Sequence, residues 1–227
     1  FYLDRAGKLR NALNAMWRDG QYVRAITDSG EEMVFDDALN ASWPVLSGAA
    51  DFDRAARAVE QGLKHLEQEN LVLLLSPAFI DSSQPNPGKL ADYPPGVREN
   101  GGQYSHGASW LVDALVRLSE LARGAGDSAH AEQYLAKACA VWLKISPLDD
   151  ITPDRIDRYG LPPHQQAADV YFGYGYAGRG GWSWYTGAAA RMLVAAYKIL
   201  GLSMQNSDLV IPDSLFVPKG ALQVKRL

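Results

Sequence analysis

Apolar residues recur at three- and four-residue steps in six stretches of the chain, and that period predicts helices. The first runs from about Leu3 to Trp17, with Leu9, Leu13, Met16 and Trp17 on one side. Two follow closely. One covers Asp37 to Ser47; the other begins after Asp51, with Phe52, Ala55, Ala56, Val59, Leu63 and Leu66 as its apolar face and Asp51 placed to cap it. In the second half, Trp110, Leu111, Ala114, Leu115, Leu118 and Leu121 mark a helix ending near Gly124. Ser128 begins another, with Leu135, Ala138, Val141, Trp142 and Ile145 on one face and Pro147 as its stop. The last helix starts near Gly187 and ends at Gly201. Short links at 47–50 and 124–127 predict antiparallel helix pairs. No fixed short repeat accompanies them, which argues against a helical solenoid.

Two long segments break this period. Residues 76–103 are rich in Pro and Gly and include Tyr93-Pro94-Pro95-Gly96; residues 147–181 hold Pro162-Pro163 and the glycines 173, 175, 178, 180 and 181. Irregular segments of this length in a compact domain usually serve a site.

Composition narrows the function classes. With 227 residues, 47% hydrophobic and 21% charged, the chain fits one globular domain with a sizeable core. Net charge is −4 and the 22 basic residues are scattered, so nucleic acid and anionic membrane surfaces are not expected partners. The lone Cys139 lies in an apolar helical pattern beside Val141 and Trp142 and reads as packing. The apolar run at 71–75 is too short to cross a bilayer, and no basic-then-apolar leader opens the chain. His65, His106, His130 and His164 lack metal-ligand spacing, so no metal site is expected.

The segment Arg98-Glu99-Asn100-Gly101-Gly102-Gln103-Tyr104-Ser105-His106 collects a cation, a carboxylate, two amides, a phenol and an imidazole ahead of a helix. Such a set suits a sugar, which needs paired donors and acceptors plus flat apolar faces; Tyr93, Tyr104 and Trp110 supply the faces. A Gly-rich turn before a capped helix explains the same residues. Further on, Arg179-Gly180-Gly181-Trp182-Ser183-Trp184-Tyr185-Thr186-Gly187 leads into the last helix. A hydroxyl and unpaired N–H groups at a helix start favour an anion such as phosphate. The plainer alternative is that Thr186 caps the helix and the tryptophans are core.

Taken in order, residues 93–106, Ala167-Ala168-Asp169-Val170-Tyr171 and residues 178–187 resemble motifs of the inverting glycoside phosphorylases that include cellobiose and chitobiose phosphorylase. They are especially similar to the phosphorylase-like domain of cyclic β-1,2-glucan synthases, and residues 37–48 resemble that family's Asp…Ser-Trp…Leu-Ser-Gly helix. The resemblance implies an all-α fold: residues 1–205 as the C-terminal portion of an (α/α)6 barrel with long Gly/Pro-rich site loops, and 206–227 as a tail leading towards a β-rich cap. It implies that His106, Thr186 and Gly187 bind inorganic phosphate, the co-substrate, and that Arg98, Glu99, Gln103 and Tyr104 contact a β-linked glucan. No cofactor is implied.

In such chemistry phosphate attacks the anomeric carbon, so only one carboxylic acid is needed, to protonate the departing oxygen. The family's acid opens an Asp-Trp-Asn-Asp-Gly-type segment. Trp17-Arg18-Asp19-Gly20 imitates it, but Met16 stands where the acid belongs, so the acid is expected upstream. The expected partners are therefore a β-glucan oligosaccharide, phosphate, and the upstream half of the barrel or a second chain. The implied location is cytoplasmic, at the inner-membrane face if the parent is a membrane-bound synthase, with no insertion by this chain itself. Ala168 stands near where cellobiose phosphorylases place a sugar-binding glutamine, which leaves the linkage open. The competing expectation is a non-catalytic half-barrel that binds glucan or supports neighbouring domains. A hydrolase using Glu99 or Asp169 lacks an identifiable second carboxylate.

Overall fold

The computed structural model describes residues 1–183, 186–206 and 208–211, with backbone alone at 186, 204 and 205. Seven helices stand among the described residues: α1 (Tyr2–Ala15), α2 (Ala38–Leu46), α3 (Phe52–Leu66), α4 (Ser105–Gly124), α5 (Ser128–Ile145), α6 (Pro153–Tyr159) and α7 (Thr186–Ile199). The apolar period places the long ones. In α3 the side chain of Asp51 accepts the Arg54 N–H at 2.9 Å, and Ala55, Ala56, Val59, Leu63 and Leu66 are buried. Burying Val59, Leu63 and Leu66 is worth about 5–8 kcal/mol as an upper bound. Asp127 caps α5 through the His130 N–H, one position before the predicted start.

Helices α2, α4 and α7 lie side by side and parallel. Leu39 faces Gly107, and the Trp43 and Trp110 rings meet one turn further along, at 5.1 Å. Likewise Gly187 stands beside His106, while deeper in α7 Arg191 and Lys198 both reach the buried carboxylate of Asp113. The outer helices run back. In α3, Gly62 packs on Ala41 and His65 Nδ1 meets Asp36 Oδ2 at 2.7 Å; in α5, the Ala131 carbonyl accepts Ser119 Oγ–H at 2.7 Å. The result is an inner row α2–α4–α7 backed by α3 and α5, with the core between the rows; Cys139 is part of it. All three inner helices therefore start at the same end.

Short strands stitch that end together. The segment 71–75 is fully buried and receives and donates ladder bonds: Ala38 N–H to the Leu74 carbonyl and Leu74 N–H to the Gly102 carbonyl, both 2.8 Å. Antiparallel pairs are β1 (Trp17–Arg18) with β2 (Gln21–Tyr22), β3 (Ala25–Ile26) with β4 (Glu32–Met33), β5 (Asp36–Asp37) with β6 (Leu75–Ser76), β7 (Gln103–Tyr104) with β8 (Asp169–Val170), and β9 (Ser203–Gln205) with β10 (Asp208–Val210).

Two expectations change. The first helix stops at Ala15 because Trp17 pairs with Tyr22 across a two-residue turn, in which Asp19 and Gly20 both have positive φ. On its apolar side Leu9 stays exposed while Leu13 is half-buried; α1 has no fully buried residue and is tied to the body by the Asn14 amide on the Ala49 carbonyl and by Arg54 of α3 on the Asn14 carbonyl. Helix α6 lies inside the segment read as irregular, with Pro153 at its start and Gly160 closing it in the left-handed conformation. Of the expected tail at 206–227, the β9–β10 hairpin reaches 210, and 212–227 lie outside the described residues. No helix among the described residues is long and apolar enough to cross a membrane.

Candidate functional site

The site is built where α4 and α7 begin. Tyr104 is the N-cap residue of α4, and His106 sits in its first turn, half-buried with its ring 4.9 Å from that of Trp110. Gly187 follows the first residue of α7. A methyl group placed on it would lie 3.5 Å from His106 Nδ1, so nothing but backbone separates the imidazole from the start of α7. Burial, and then the positive charge of Arg191, hold the His106 imidazole below its ordinary range, so its neutral form is favoured at neutral pH. A neutral imidazole beside backbone N–H groups at a helix start is a donor set for an oxyanion. Thr186 opens α7 in the backbone; its side chain lies outside the described residues, as do Trp184 and Tyr185.

A second group of polar side chains adjoins α4 through the β7–β8 pair. Tyr104 is the cross-strand partner of Asp169, and Ser105 N–H bonds the Ala168 carbonyl at 2.8 Å. Residues 180–182 line the far side of β8: Gly181 N–H bonds the Asp169 carbonyl, and Trp182 N–H bonds Asp169 Oδ1 at 3.1 Å. Arg98 Nε lies 3.5 Å from Glu99 Oε2, and its guanidinium stands 5.2 Å above the Tyr93 ring. Arg98 adopts φ +50°, a left-handed conformation unusual for a side-chain-bearing residue, of the kind that concentrates at binding sites. Asp169 is 3% exposed. Burial raises its carboxyl above the ordinary range; the Trp182 N–H and Arg98 pull it down, and Glu99 pushes it up.

The two loops that carry these groups cross closely. At the crossing Gly96 has φ +81°, and a Cβ there would meet the Gly173 nitrogen at 2.3 Å, so only glycine fits. Asn100 is the organiser beneath. It is fully buried, and its amide accepts the Phe79 N–H and donates to the Phe79 and Tyr93 carbonyls at 2.7–2.9 Å.

The predicted residues divide accordingly. His106 and Gly187 come together, and Arg98, Glu99 and Tyr104 gather beside the start of α4. Gln103 does not join them: it is 2% exposed, and its amide accepts the Val72 N–H at 3.0 Å and faces Ser105 Oγ at 3.4 Å. It supports the segment from below, because the strand alternation that leaves Tyr104 half-buried turns Gln103 inward. Asp169, weighed in the sequence as a hydrolase acid, and Asn100, one of the two amides of its segment, are both buried, which no local period signals. The imitation acid segment is a hairpin, with Asp19 in its exposed turn. Among the described residues no group of three or more His, Cys, Asp or Glu side chains is arranged to hold a metal.

Comparison with known proteins shows the family. Residues 1–201 match the Glycosyl hydrolase 94 superfamily, catalytic domain. The chain belongs to that family. It is 31% identical over 217 residues to the cyclic beta-(1,2)-glucan synthase NdvB of Rhizobium meliloti, covering 89% of this chain and 7% of that protein. It is 28% identical over 203 residues to the solabiose phosphorylase of Paenibacillus borealis, covering 85% of this chain and 24% of that protein. The chain thus spans a small part of the length of each relative.

Proposed function

We propose that this chain forms the phosphate-holding and leaving-group side of an inverting phosphorylase site for a β-linked glucan, in the first place a β-1,2-glucan. The observation that carries this reading is the contact of His106 with the start of α7 at Gly187, beside the Arg98–Glu99–Tyr104 group. Phosphate sits between the imidazole and the first N–H groups of α7, with the Thr186 hydroxyl as a further donor. Its oxygen attacks the anomeric carbon, the glycosidic C–O bond breaks, and the departing oxygen takes a proton from an acid outside residues 1–227. The products are α-glucose 1-phosphate and a glucan one unit shorter. Arg98, Glu99 and Tyr104 hold the departing sugar. No metal or cofactor has a part in this scheme.

The arc α2–α4–α7 is then one side of an (α/α)6 barrel, closed by an upstream segment of the same polypeptide or by a second chain, and residues from 206 onward lead into a β-rich cap. Within a cyclic glucan synthase the unit works at the cytoplasmic face of the membrane. Support comes from the family membership and from the relatives named for β-1,2-glucan synthesis and for a phosphorylase. The test is glucose 1-phosphate release from β-1,2-glucan by the complete parent protein. Release that needs inorganic phosphate and is lost in His106→Ala supports the reading; turnover without phosphate, or glucan binding with no turnover, refutes it.

A further inference from the structure

A cavity of about 260 Å³ opens between the turn that leaves α3 and the loop that follows β8. It is lined by residues 68–71, Arg158 of α6, Phe172, Ala177 and Gly178, a set separate from the residues around His106 and Arg98. Both walls are fixed. Lys144 Nζ holds the turn through Glu67 Oε1 and the Gln68 carbonyl, both at 2.7 Å, and the Gln68 N–H closes it on the Leu71 carbonyl at 2.9 Å. On the other side the Tyr171 N–H bonds the Arg179 carbonyl and the Gly178 N–H bonds the Tyr171 carbonyl, both at 2.9 Å. A Cβ on Gly178 would lie 2.8 Å from Arg158 Cδ, so the arginine stem packs on bare backbone there. The cavity is formed before any ligand arrives, as small-molecule sites usually are.

The lining suits a neutral, hydroxyl-rich ligand. Gln68 and Asn70 carry amides that both donate and accept, Glu69 offsets the charge of Arg158, and Phe172, 42% exposed, offers a ring face. Asn70 Oδ1 is buried with no hydrogen-bond donor, an unmet acceptor in the wall. The loop beyond Phe172 adds Tyr174 and Tyr176, both exposed. Tyr174 and Gly175 have φ +57° and +76°, and the Tyr176 N–H bonds the Gly173 carbonyl at 3.1 Å. Two successive positive-φ positions suit Asn, Asp or Gly; an exposed tyrosine there costs backbone strain with little burial in return, and such strain concentrates at ligand sites. We propose that this cavity is a second saccharide site, separate from the reaction site, which holds a short stretch of a neutral glucan chain with one sugar ring against Phe172 and its hydroxyls on Arg158 and the 68–70 turn. The Phe172 and Gly173 N–H groups both bond the Gly96 carbonyl, at 2.8 and 3.3 Å, so a chain held here stays beside the loop that carries Arg98 and Glu99. That this glucan is also the substrate rests on the proposed function; the saccharide chemistry of the cavity does not.

The experiment is calorimetry on the complete parent protein in phosphate-free buffer, with a β-1,2-linked glucose disaccharide as the probe. Two classes of site are expected in the wild type. Phe172→Ala and Arg158→Ala are each expected to weaken one class by about fivefold or more and to leave the other unchanged. Both side chains are exposed, so the thermal unfolding of either variant is expected to match the wild type. A single class weakened by both variants keeps the cavity as a saccharide site while the proposed reaction site fails. Binding that neither variant weakens places the sugar elsewhere and overturns the proposal. So does a wild type that takes up no disaccharide, in which case the proposed function is judged separately by its own glucose 1-phosphate assay. Inorganic phosphate that binds the wild type and is lost in Arg158→Ala would mark an anion site and would also overturn it.

Discussion

Gly187 and His106 stand opposite each other across the α4–α7 interface: a Cβ added to Gly187 would lie 3.5 Å from the imidazole Nδ1. Because Gly187 has no side chain, the space beside the imidazole stays open. On the proposed reading, that bare helix start is what leaves space for phosphate.

Gly187→Ala separates fold from function. The position is helical, and the added methyl would meet His106 at 3.5 Å without a clash. Helix propensity favours Ala over Gly by about 1 kcal/mol. Thermal unfolding is therefore expected to show equal or higher stability, while phosphate affinity measured by calorimetry falls. Unchanged affinity would mean that phosphate does not sit there.

His106 gives the chain a distinct pH dependence. Its folded value lies below the ordinary 6.5 because burial, then Arg191, disfavour the imidazolium. Above pH 6.5 the imidazole is neutral whether the chain is folded or not, and there is no penalty. As pH falls through 6.5 towards the folded value, the unfolded chain takes up a proton that the folded chain resists, so stability drops. His106→Gln is expected to lose less stability than the wild type between pH 7.5 and 5.5 in denaturant titrations. An equal or greater loss would contradict the placement.

Asn100→Ala is expected to be severe. The amide makes three hydrogen bonds that tie 79 and 93 to the turn carrying Arg98 and Glu99, and its removal leaves buried backbone groups unpaired. A loss of about 3 kcal/mol in denaturant unfolding is expected. A loss under about 1 kcal/mol would show that water replaces it readily.

How legible this was depended on the range of the signal. The faces of α3 and α5 and the Asp51 cap are set by neighbours three or four positions apart, so the chain displays them directly. The β1–β2 hairpin was equally local, since Asp19-Gly20 is a strong turn signal, but its resemblance to an acid-bearing segment drew the reading elsewhere. Helix α6 had its Pro153 start and Gly160 stop in view and was hidden by the surrounding Pro and Gly. Gln103 and Asp169 are different in kind. Whether they face ligand or core is decided by the pairing of β7 with β8 across more than sixty intervening positions, and nothing in the local pattern encodes that register.

The most direct test of the anion pocket is the response of His106 to inorganic phosphate, read from its imidazole proton signals and from the Gly187 amide in the same NMR titration. A dianion between them should raise the His106 pKa from its depressed value and shift both signals along one saturation curve. Phosphate that leaves the pKa of His106 unmoved, or that shifts Gly187 alone, would contradict the account.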